Sequence, residues 1–342
     1  MNEFQAYHYI GLDIHKHSVV FCEKTMAGKI VEQGSLPARR ADLLSFAHSR
    51  SKPWIGGMEA TLFSGWVYDT LVPYAVELHV GHPLRLKALS KNKNDRIDAR
   101  LLANLLRADL FPSCYMAPRE VRALRRVLRY RNFLVFEATR MKNKTSGLLM
   151  EVGVQYNKKK LHGKKYFSEL LGSLGEVPSS VRELLQMTRT SLELFTRAQH
   201  RLLQALKDHP ALSGRLELLK SIGGVGDIVA LTWALEIDDP NRFTSIKKAQ
   251  SYCGLCSAQH ESAGKQWRAP LSKERNPHLQ RVLIEAAKLA PSKRGCLERV
   301  YAAALERGYN GNRATLAVAR KLVAYLMAVD KSGSFFIEPQ LG

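Results

Sequence analysis

The first third of the chain alternates between short apolar runs and amphipathic segments. Apolar runs bounded by turn residues predict strands over residues 9–14, 18–25, 29–34, 54–59 and 76–80. Apolar positions three and four residues apart predict helices over residues 37–48, 64–72 and 95–107. Three strands are thus followed by helix, strand, helix, strand and helix, which predicts an α/β domain.

The remainder of the chain has a helical pattern. Apolar periodicity predicts helices over residues 119–146, 180–206, 280–289 and 311–330, and residues 218–232 are typical of a helix–hairpin–helix element. The two longest helices flank a basic segment at 158–165, which predicts an antiparallel helical hairpin with a loop at its tip. We therefore predict an α/β domain over 1–112, a helical, coiled-coil-like basic linker over 113–210 and a mostly helical domain over 211–342.

Four acids stand out against this pattern. Asp13 lies inside the first apolar run, Glu59 ends the fourth, and Asp95 and Asp98 lie three residues apart at the start of a helix. A carboxylate at the end of an apolar strand is costly unless its charge is compensated. A hard divalent cation such as Mg²⁺ takes oxygen ligands, and two such ions form a phosphodiester-cleaving site. The set therefore predicts a magnesium site that acts on nucleic acid.

Each acid also has a simpler explanation. Asp13 could begin a turn, and Glu59 could cap the helix that follows it. Asp95 could be a helix N-cap and Asp98 a first-turn charge, since acids favour that end of a helix. However, Asp13 within a strand has no capping role, and the set matches the ribonuclease-H-like fold. That fold has its first acid on the first strand, a second at the end of the fourth strand, and a final pair on a helix beside the first strand.

The charge of the chain narrows the class of partner. The 342 residues carry a formal net charge of +21, and 45% of them are hydrophobic, so the chain forms cores and favours a polyanion. No run of 18 apolar residues and no signal-peptide pattern is present, which argues against a membrane partner and favours a cytoplasmic protein. The five cysteines are irregularly spaced, which indicates free thiols rather than disulfides or a zinc site.

Basic residues and glycines suggest where nucleic acid binds. A dense cationic stripe on a helix usually lies along phosphates, although it can also be a solvated face. A Gly-Val-Gly turn lets backbone N–H groups approach a phosphate, although it can also be a tight turn between core helices. The candidate residues are Arg122, Arg125, Arg126, Arg129, Lys142, Lys144, Gly224 and Gly226.

Three segments carry a specific resemblance. The sequences GLDIHK (residues 11–16), GMEAT (57–61) and KNDRIDA (93–99) resemble those of IS110-family transposases, also called bridge-RNA-guided recombinases. The acidic domain of that family is similar to the RuvC Holliday-junction resolvase. Its acidic tetrad, named DEDD, matches Asp13, Glu59, Asp95 and Asp98 one by one.

Residues 249–289 resemble the C-terminal transposase segment of the same family, except that Arg275 replaces the family's glycine before Asn276. The family uses a serine of this region as a nucleophile. Matching the Ser-x-Gly-Lys loop implies Ser262, with Ser257 and then Ser251 as alternatives. Lys265 and Arg268 would neutralise the non-bridging phosphate oxygens.

The resemblance implies a bacterial transposase of an insertion sequence. Such a protein recombines double-stranded target and donor DNA, is guided by a structured bridge RNA, and passes through a covalent phosphoserine. It also implies a homodimer or homotetramer, in which the acidic domain of one subunit meets the serine domain of another, and nucleoid association when active. Two alternatives are a metal-only RuvC-like junction nuclease and a basic nucleic-acid-binding protein without catalysis.

Overall fold

A computed structural model of the protein describes residues 7–89, 94–175, 177–262, 265–289, 292 and 295–338, with the backbone alone for residues 258–269. The chain divides into two compact units, Met1–Arg119 and Glu120–Gly342. The first is close to the predicted α/β domain. The predicted boundary at 210/211 between linker and C-terminal domain falls inside the second unit.

The first unit is built on a six-stranded mixed sheet with the order β3-β2-β1-β4-β5-β6. The strands are β1 (His8–Ile14), β2 (Ser18–Lys24), β3 (Ile30–Pro37), β4 (Trp54–Glu59), β5 (Glu77–Gly81) and β6 (Ser113–Cys114). The helices are α1 (Arg40–His48), α2 (Ser64–Leu71), α3 (Pro83–Leu89) and α4 (Asp95–Arg107). β1 pairs antiparallel with β2 and parallel with β4, and β4 pairs parallel with β5. The mixed α/β class and the order of the predicted elements are confirmed.

Helix α4 lies directly against β1, as predicted. The side chain of Asn94 caps the helix by accepting a hydrogen bond from the Arg96 amide, which leaves Asp95 and Asp98 in the first turn. The close approach depends on Gly11, because a Cβ added there would lie 2.0 Å from the carbonyl oxygen of Ala99. The glycine thus sets the distance between β1 and α4.

Some predicted boundaries in this unit were wrong. The predicted helix 37–48 begins only at Arg40, because Pro37 still pairs with Ser18 as the last residue of β3. The short elements α3 and β6 were not predicted. α3 follows β5 after the single residue His82, whose carbonyl accepts hydrogen bonds from the amides of Arg85 and Leu86 in the first turn of the helix.

The second unit is mostly helical. Its helices are α5 (Arg119–Glu151), α6 (Lys164–Ser173), α7 (Ser179–Lys207), α8 (Pro210–Lys220), α9 (Asp227–Ile237), α10 (Ile246–Tyr252), α11 (Pro277–Leu289), α12 (Cys296–Glu306) and α13 (Gly311–Ser332). Most of α9 and the inner face of α13 are buried in one large apolar core, which also includes Leu128 of α5. A smaller core, around Leu149, Leu161 and Phe167, closes the end of the α5–α7 hairpin.

Two predicted loops of this unit contain regular structure. Helix α6 begins at Lys164, so the basic segment 158–165 is only partly a loop, and Leu161 within it is fully buried. The predicted Ser-x-Gly-Lys loop adjoins two antiparallel strands, β7 (Ser257–Ser262) and β8 (Lys265–Leu271). In the part of the chain that the structure covers, no helix combines the length and apolar character needed to cross a membrane.

Candidate active site

The parallel pairing of β1 with β4 brings the first two acids to one edge of the sheet. Leu12 lies opposite Met58, and Asp13 and Glu59 are the residues that follow. Asp95 and Asp98 reach the same edge on the first turn of α4, which packs on β1. Three segments that are distant in sequence therefore converge through the sheet register and one helix contact.

The acidic side chains surround a common space. Asp13, Glu59 and Asp98 line a cavity of about 350 Å³, together with Lys87 and apolar residues of α3 and α4. His15 lies between Asp13 and Asp95. Its Nε2 atom is 3.2 Å from Oδ2 of Asp13 and 3.4 Å from Oδ2 of Asp95, which places Asp95 near the cavity. The sequence prediction that these acids are brought together is supported by this geometry.

The electrostatics of the site fit an arrangement that needs a cation. Burial raises the pKa of Asp13, and the nearby Asp95 and Asp98 raise it further, while His15 opposes the shift. Burial likewise raises the pKa of Glu59, followed by repulsion from Asp13 and Asp98. Burial and the neighbouring carboxylates thus disfavour the ionised forms of Asp13 and Glu59, and a bound divalent cation would favour them.

The donor set fits a divalent metal ion. Among the described residues, Asp13, His15 and Asp95 offer ligand atoms that all lie within 4.8 Å of one another. Glu59 and Asp98 are outside that close group but face the same cavity as Asp13. The carboxylate oxygens suit Mg²⁺, whereas an imidazole ligand is more usual for transition metals.

His15 is the residue of this site that the sequence analysis missed. It follows Ile14, the last residue of β1, and stands two positions after Asp13, so both project from the same side of an extended chain. The available signal was this i, i+2 spacing of a histidine and a strand acid. It is weak, because the neighbouring His17 has an equally polar context.

The predicted serine site lies in the second unit. The side chains of Ser262, Lys265 and Arg268 are outside the described part of the structure. Their backbones place Ser262 opposite Lys265 at the end of the paired strands, and Arg268 opposite Gln259. Of the alternatives, Ser257 begins β7 and Ser251 lies in α10, and both are exposed. The choice of nucleophile stays a prediction.

Two arginines of the predicted phosphate-binding stripe have partners within the protein. Arg129 makes a bidentate pair with the buried Glu236, with both N···O distances 2.8 Å, and Arg125 donates to the Leu235 carbonyl. Asn276 also donates to Glu236 at 2.9 Å. Arg125 and Arg129 therefore have a structural role that the sequence analysis did not foresee, namely joining α5 to α9 and the start of α11.

The other basic side chains that were predicted to bind nucleic acid differ in solvent exposure. Arg126, Lys142 and Lys144 are exposed on α5, and Arg122 is half-buried. Nucleic-acid binding by these side chains stays a prediction.

The glycine turn precedes α9. Gly224 has a φ of +92°, which favours glycine, whereas Gly226 has a φ of −97°, and an added Cβ at either position would meet nothing within 4 Å. No steric requirement from the described chain explains Gly226, and nucleic-acid binding by this turn stays a prediction. Asp227 follows at the helix start and is paired with Lys207 and Lys220.

Models of known protein families match segments in both halves of the chain. Residues 10–153 match the DEDD transposase model of IS110 elements, and residues 216–302 match the model described as transposase IS116/IS110/IS902 family. A probable family 20 transposase of Pseudomonas aeruginosa is 25% identical over 83% of this chain and 80% of its own length.

Two insertion-sequence transposases are similarly related. The transposase for insertion sequence element IS1111A of Coxiella burnetii is 26% identical over 82% of this chain and 76% of its own length. The transposase for IS1328 of Yersinia enterocolitica is 23% identical over 96% of this chain and 98% of its own. Together with the family matches and the converging acids, these relatives show that the chain belongs to the IS110 family of insertion-sequence transposases.

Proposed function

We propose that this transposase cleaves and rejoins DNA strands with a magnesium-dependent acidic site and a serine nucleophile. The observation that carries the proposal is the convergence of Asp13, Glu59, Asp95 and Asp98, two of them with pKa values raised by burial and mutual repulsion. Perturbed carboxylates that share a cavity are typical of catalytic sites. The strand order, with acids on β1, β4 and α4, supports a RuvC-like arrangement of the first unit.

The acids have separate roles in this proposal. Asp13 is the central ligand, because it borders both the His15–Asp95 group and the cavity lined by Glu59 and Asp98. A bound Mg²⁺ would supply charge stabilisation at the phosphate and activation of an attacking oxygen. His15 orients Asp13 and Asp95 through its Nε2 atom. The half-buried position of Asp13 limits the water that competes for the carboxylates.

The serine role follows the family resemblance. In the proposed step the Oγ atom of Ser262 bonds to phosphorus while a phosphorus–oxygen bond of the DNA backbone breaks. The serine proton is released to a base, and the departing sugar oxygen takes up a proton as a free hydroxyl. The phosphoserine conserves the bond energy, so attack by another hydroxyl rejoins strands without an external energy source.

Sequence choice is assigned to an RNA guide on the same resemblance. A bridge RNA would pair with target and donor DNA, while the protein contacts backbone and shape. The exposed Arg126, Lys142 and Lys144 on α5 are suited to such sequence-independent contacts. RNA that copurifies with the protein expressed beside its native flanking DNA, and that restores cleavage to RNA-stripped protein, would support this part.

The acidic site is tested by Asp13→Asn in the full-length protein. In the wild type, we expect cleavage of substrate DNA to require Mg²⁺. In the variant, cleavage should fall by at least about a thousandfold, because one amide cannot replace the shared carboxylate. Asp42→Asn is the matched control, since Asp42 pairs with Arg39 on α1, outside the cavity. Equal cleavage by Asp13→Asn and wild type would refute the proposal.

The nucleophile is tested by trapping the covalent intermediate. Denatured reactions of the wild type should contain DNA linked to one protein chain, with phosphoserine at residue 262 by mass spectrometry. Ser262→Ala should abolish the adduct, whereas Ser257→Ala and Ser251→Ala should retain it. Cleavage that persists in Ser262→Ala without any adduct would instead favour a metal-only nuclease with water as nucleophile.

A further inference from the structure

The helical hairpin of the second unit contains a recess of about 430 Å³, which we call the hairpin pocket. It lies where α5, the start of α6 and α7 meet, and it adjoins Phe167 of the small core that closes the hairpin. Its charged and titratable lining residues are Lys142, His162, Lys164, Arg189, Glu193 and Arg197. All three helices thus contribute polar groups to one concave surface.

The hairpin pocket has an excess of positive charge. Four cationic side chains face one carboxylate, and that carboxylate, Glu193, is already paired with Arg189 at 2.8 Å. Within the described ranges, Lys142, Lys164 and Arg197 form no salt bridge. Cations that converge on a recess without matching acids repel one another, and an anion bound between them would relieve that repulsion.

One of the cations is held in place before any ligand arrives. The Nη1 atom of Arg189 donates to the His162 carbonyl oxygen at 2.8 Å, and its Nε atom donates to Glu193 at 2.8 Å. Its guanidinium carbon lies 5.4 Å from the centre of the Phe167 ring, and only 14% of the side chain is exposed. Such preorganisation lowers the entropy lost when a ligand binds.

A titratable group completes the lining. Burial lowers the pKa of His162, and the positive charges of Lys142 and Arg189 lower it further. Lys164 and Arg197, which also face the pocket, add positive charge there, whereas Glu193 is the one acid that opposes it. The imidazole is therefore neutral at pH 7 in the free protein, and an anion in the pocket would favour its protonated form.

We propose that the hairpin pocket binds a phosphodiester group of the nucleic acid on which the transposase acts. Lysine ammonium groups and a fixed guanidinium match the tetrahedral, singly charged oxyanion, and their convergence on one recess suits one phosphate. This inference rests on the proposed function for the identity of the ligand, but it concerns a site that contains none of the predicted catalytic residues.

The proposal is tested by replacing two exposed cations together, as Lys164→Ala/Arg197→Ala in the full-length protein. Binding to a DNA duplex and to an RNA hairpin is measured over a range of KCl concentrations with EDTA present. We expect about tenfold weaker binding. The slope of log K against log salt should become less steep by about 0.9 for duplex DNA or about 0.7 for a single strand.

The matched control is Arg140→Ala/Lys165→Ala, which removes the same charges from α5 and α6 outside the pocket. Arg140 and Lys165 are 73% and 92% exposed, and each faces a glutamate of its own helix. The control should bind within about twofold of wild type. A reduced slope in the pocket variant alone, with either nucleic acid, supports the proposal, and unchanged slopes with both overturn it.

A second readout follows His162 itself by NMR, with His162→Asn used to assign the signal. Its pKa should rise when nucleic acid binds. If His162 responds to inorganic phosphate while the pocket variant retains the wild-type slope for nucleic acid, the pocket holds a free anion and the proposal fails. Because EDTA removes metal ions, these results are independent of the Asp13→Asn cleavage test.

Discussion

At the scale of single residues, glycines decide how closely backbone segments approach. An added Cβ at Gly11 would lie 2.0 Å from the Ala99 carbonyl oxygen and 2.6 Å from the Ala103 nitrogen, both in α4. Neither atom can move without moving the helix. Since α4 carries Asp95 and Asp98, this contact fixes the width of the acidic site as well as the packing of the unit.

We predict that Gly11→Ala destabilises the protein by about 1–3 kcal/mol, because it forces α4 away from β1. Metal-dependent cleavage by Gly11→Ala should fall by a larger factor than the fraction of folded protein does. Chemical denaturation and activity at equal folded fraction provide the measurements. Wild-type stability in Gly11→Ala would show that the helix contact is looser than described.

Gly147 is the matched comparison, because it lies within α5 and an added Cβ would meet nothing within 4 Å. We predict that Gly147→Ala stabilises the protein by about 0.5–1 kcal/mol by reducing the freedom of the unfolded chain. The shift in the denaturation midpoint measures it. Destabilisation would indicate an unrecognised contact at this face of α5.

The ion pairs of Asp227 make the stability of the protein depend on pH. Hydrogen bonds from Lys220 and Lys207 lower the pKa of this carboxyl, and its partial burial opposes them. The pKa of Asp227 is therefore lower in the folded state than its value of about 3.9 in the unfolded chain. The ionised carboxyl stabilises the fold above about pH 3.9, and this stabilisation is lost as the pH falls through the folded-state pKa.

We therefore predict that Asp227→Asn costs about 1 kcal/mol at pH 7 and progressively less as the pH falls from about 4 to 2. Denaturation of wild type and variant across this pH range is the measurement. The control is Glu151→Gln, an exposed acid at the end of α5, which should change stability by less than about 0.5 kcal/mol at either pH. A cost for Asp227→Asn that is undiminished at pH 2 would contradict the ion-pair explanation.

At the scale of secondary-structure elements, the buried Glu236 connects three helices. It lies on α9, accepts two hydrogen bonds from Arg129 of α5, and accepts another from Asn276. Asn276 in turn accepts hydrogen bonds from the His278 and Leu279 amides at the start of α11. The segment that follows the β7–β8 hairpin is thus tied to α5 through one carboxylate.

We predict that Glu236→Ala destabilises the protein by about 3–5 kcal/mol, because it leaves polar partners without an acceptor. Glu137→Ala, which breaks the pair with the exposed Arg140 on α5, should cost no more than about 1 kcal/mol. Urea denaturation of both variants gives the comparison. Similar small costs would mean that water replaces the carboxylate at Glu236.

The secondary-structure elements differ in how well their own residues predict them. The bounds of α4 were predicted correctly, because Asn94 caps its start and strong periodicity continues to Arg107. Yet Ile97, an apolar residue of this helix, is 42% exposed, since Ala99 and Ala103 take the positions nearest to β1. Helical periodicity locates a face only approximately, and the contact with Gly11 decides which residues are covered.

Other elements gave no local signal. The sequence SAQHES of β7 lacks alternating apolar residues, so its strand depends on pairing with β8. The four acids could be predicted because buried strands rarely contain a carboxylate and because their order matched a known family. His15, Arg125 and Arg129 could not be interpreted in the same way, since their partners Asp95, Leu235 and Glu236 are set by tertiary packing.

At the scale of the whole molecule, the net charge of +21 dominates the interaction with DNA. If six to ten phosphates are contacted, affinity should fall about 10³- to 10⁵-fold between 50 and 200 mM salt. Fluorescence anisotropy with duplex DNA in EDTA measures this slope. A dependence weaker than about tenfold would show that few of the basic side chains meet phosphates.

The acidic site also has a consequence for protein synthesis. Its carboxylates lie on β1, β4 and α4, and the last of these segments ends at Arg107. A polypeptide that ends between Glu59 and Asp95 has the first two acids but lacks the helix that carries the other pair. Products that end before α4 therefore lack the complete acidic site, and this site can assemble only after roughly the first third of the chain has been translated and has folded.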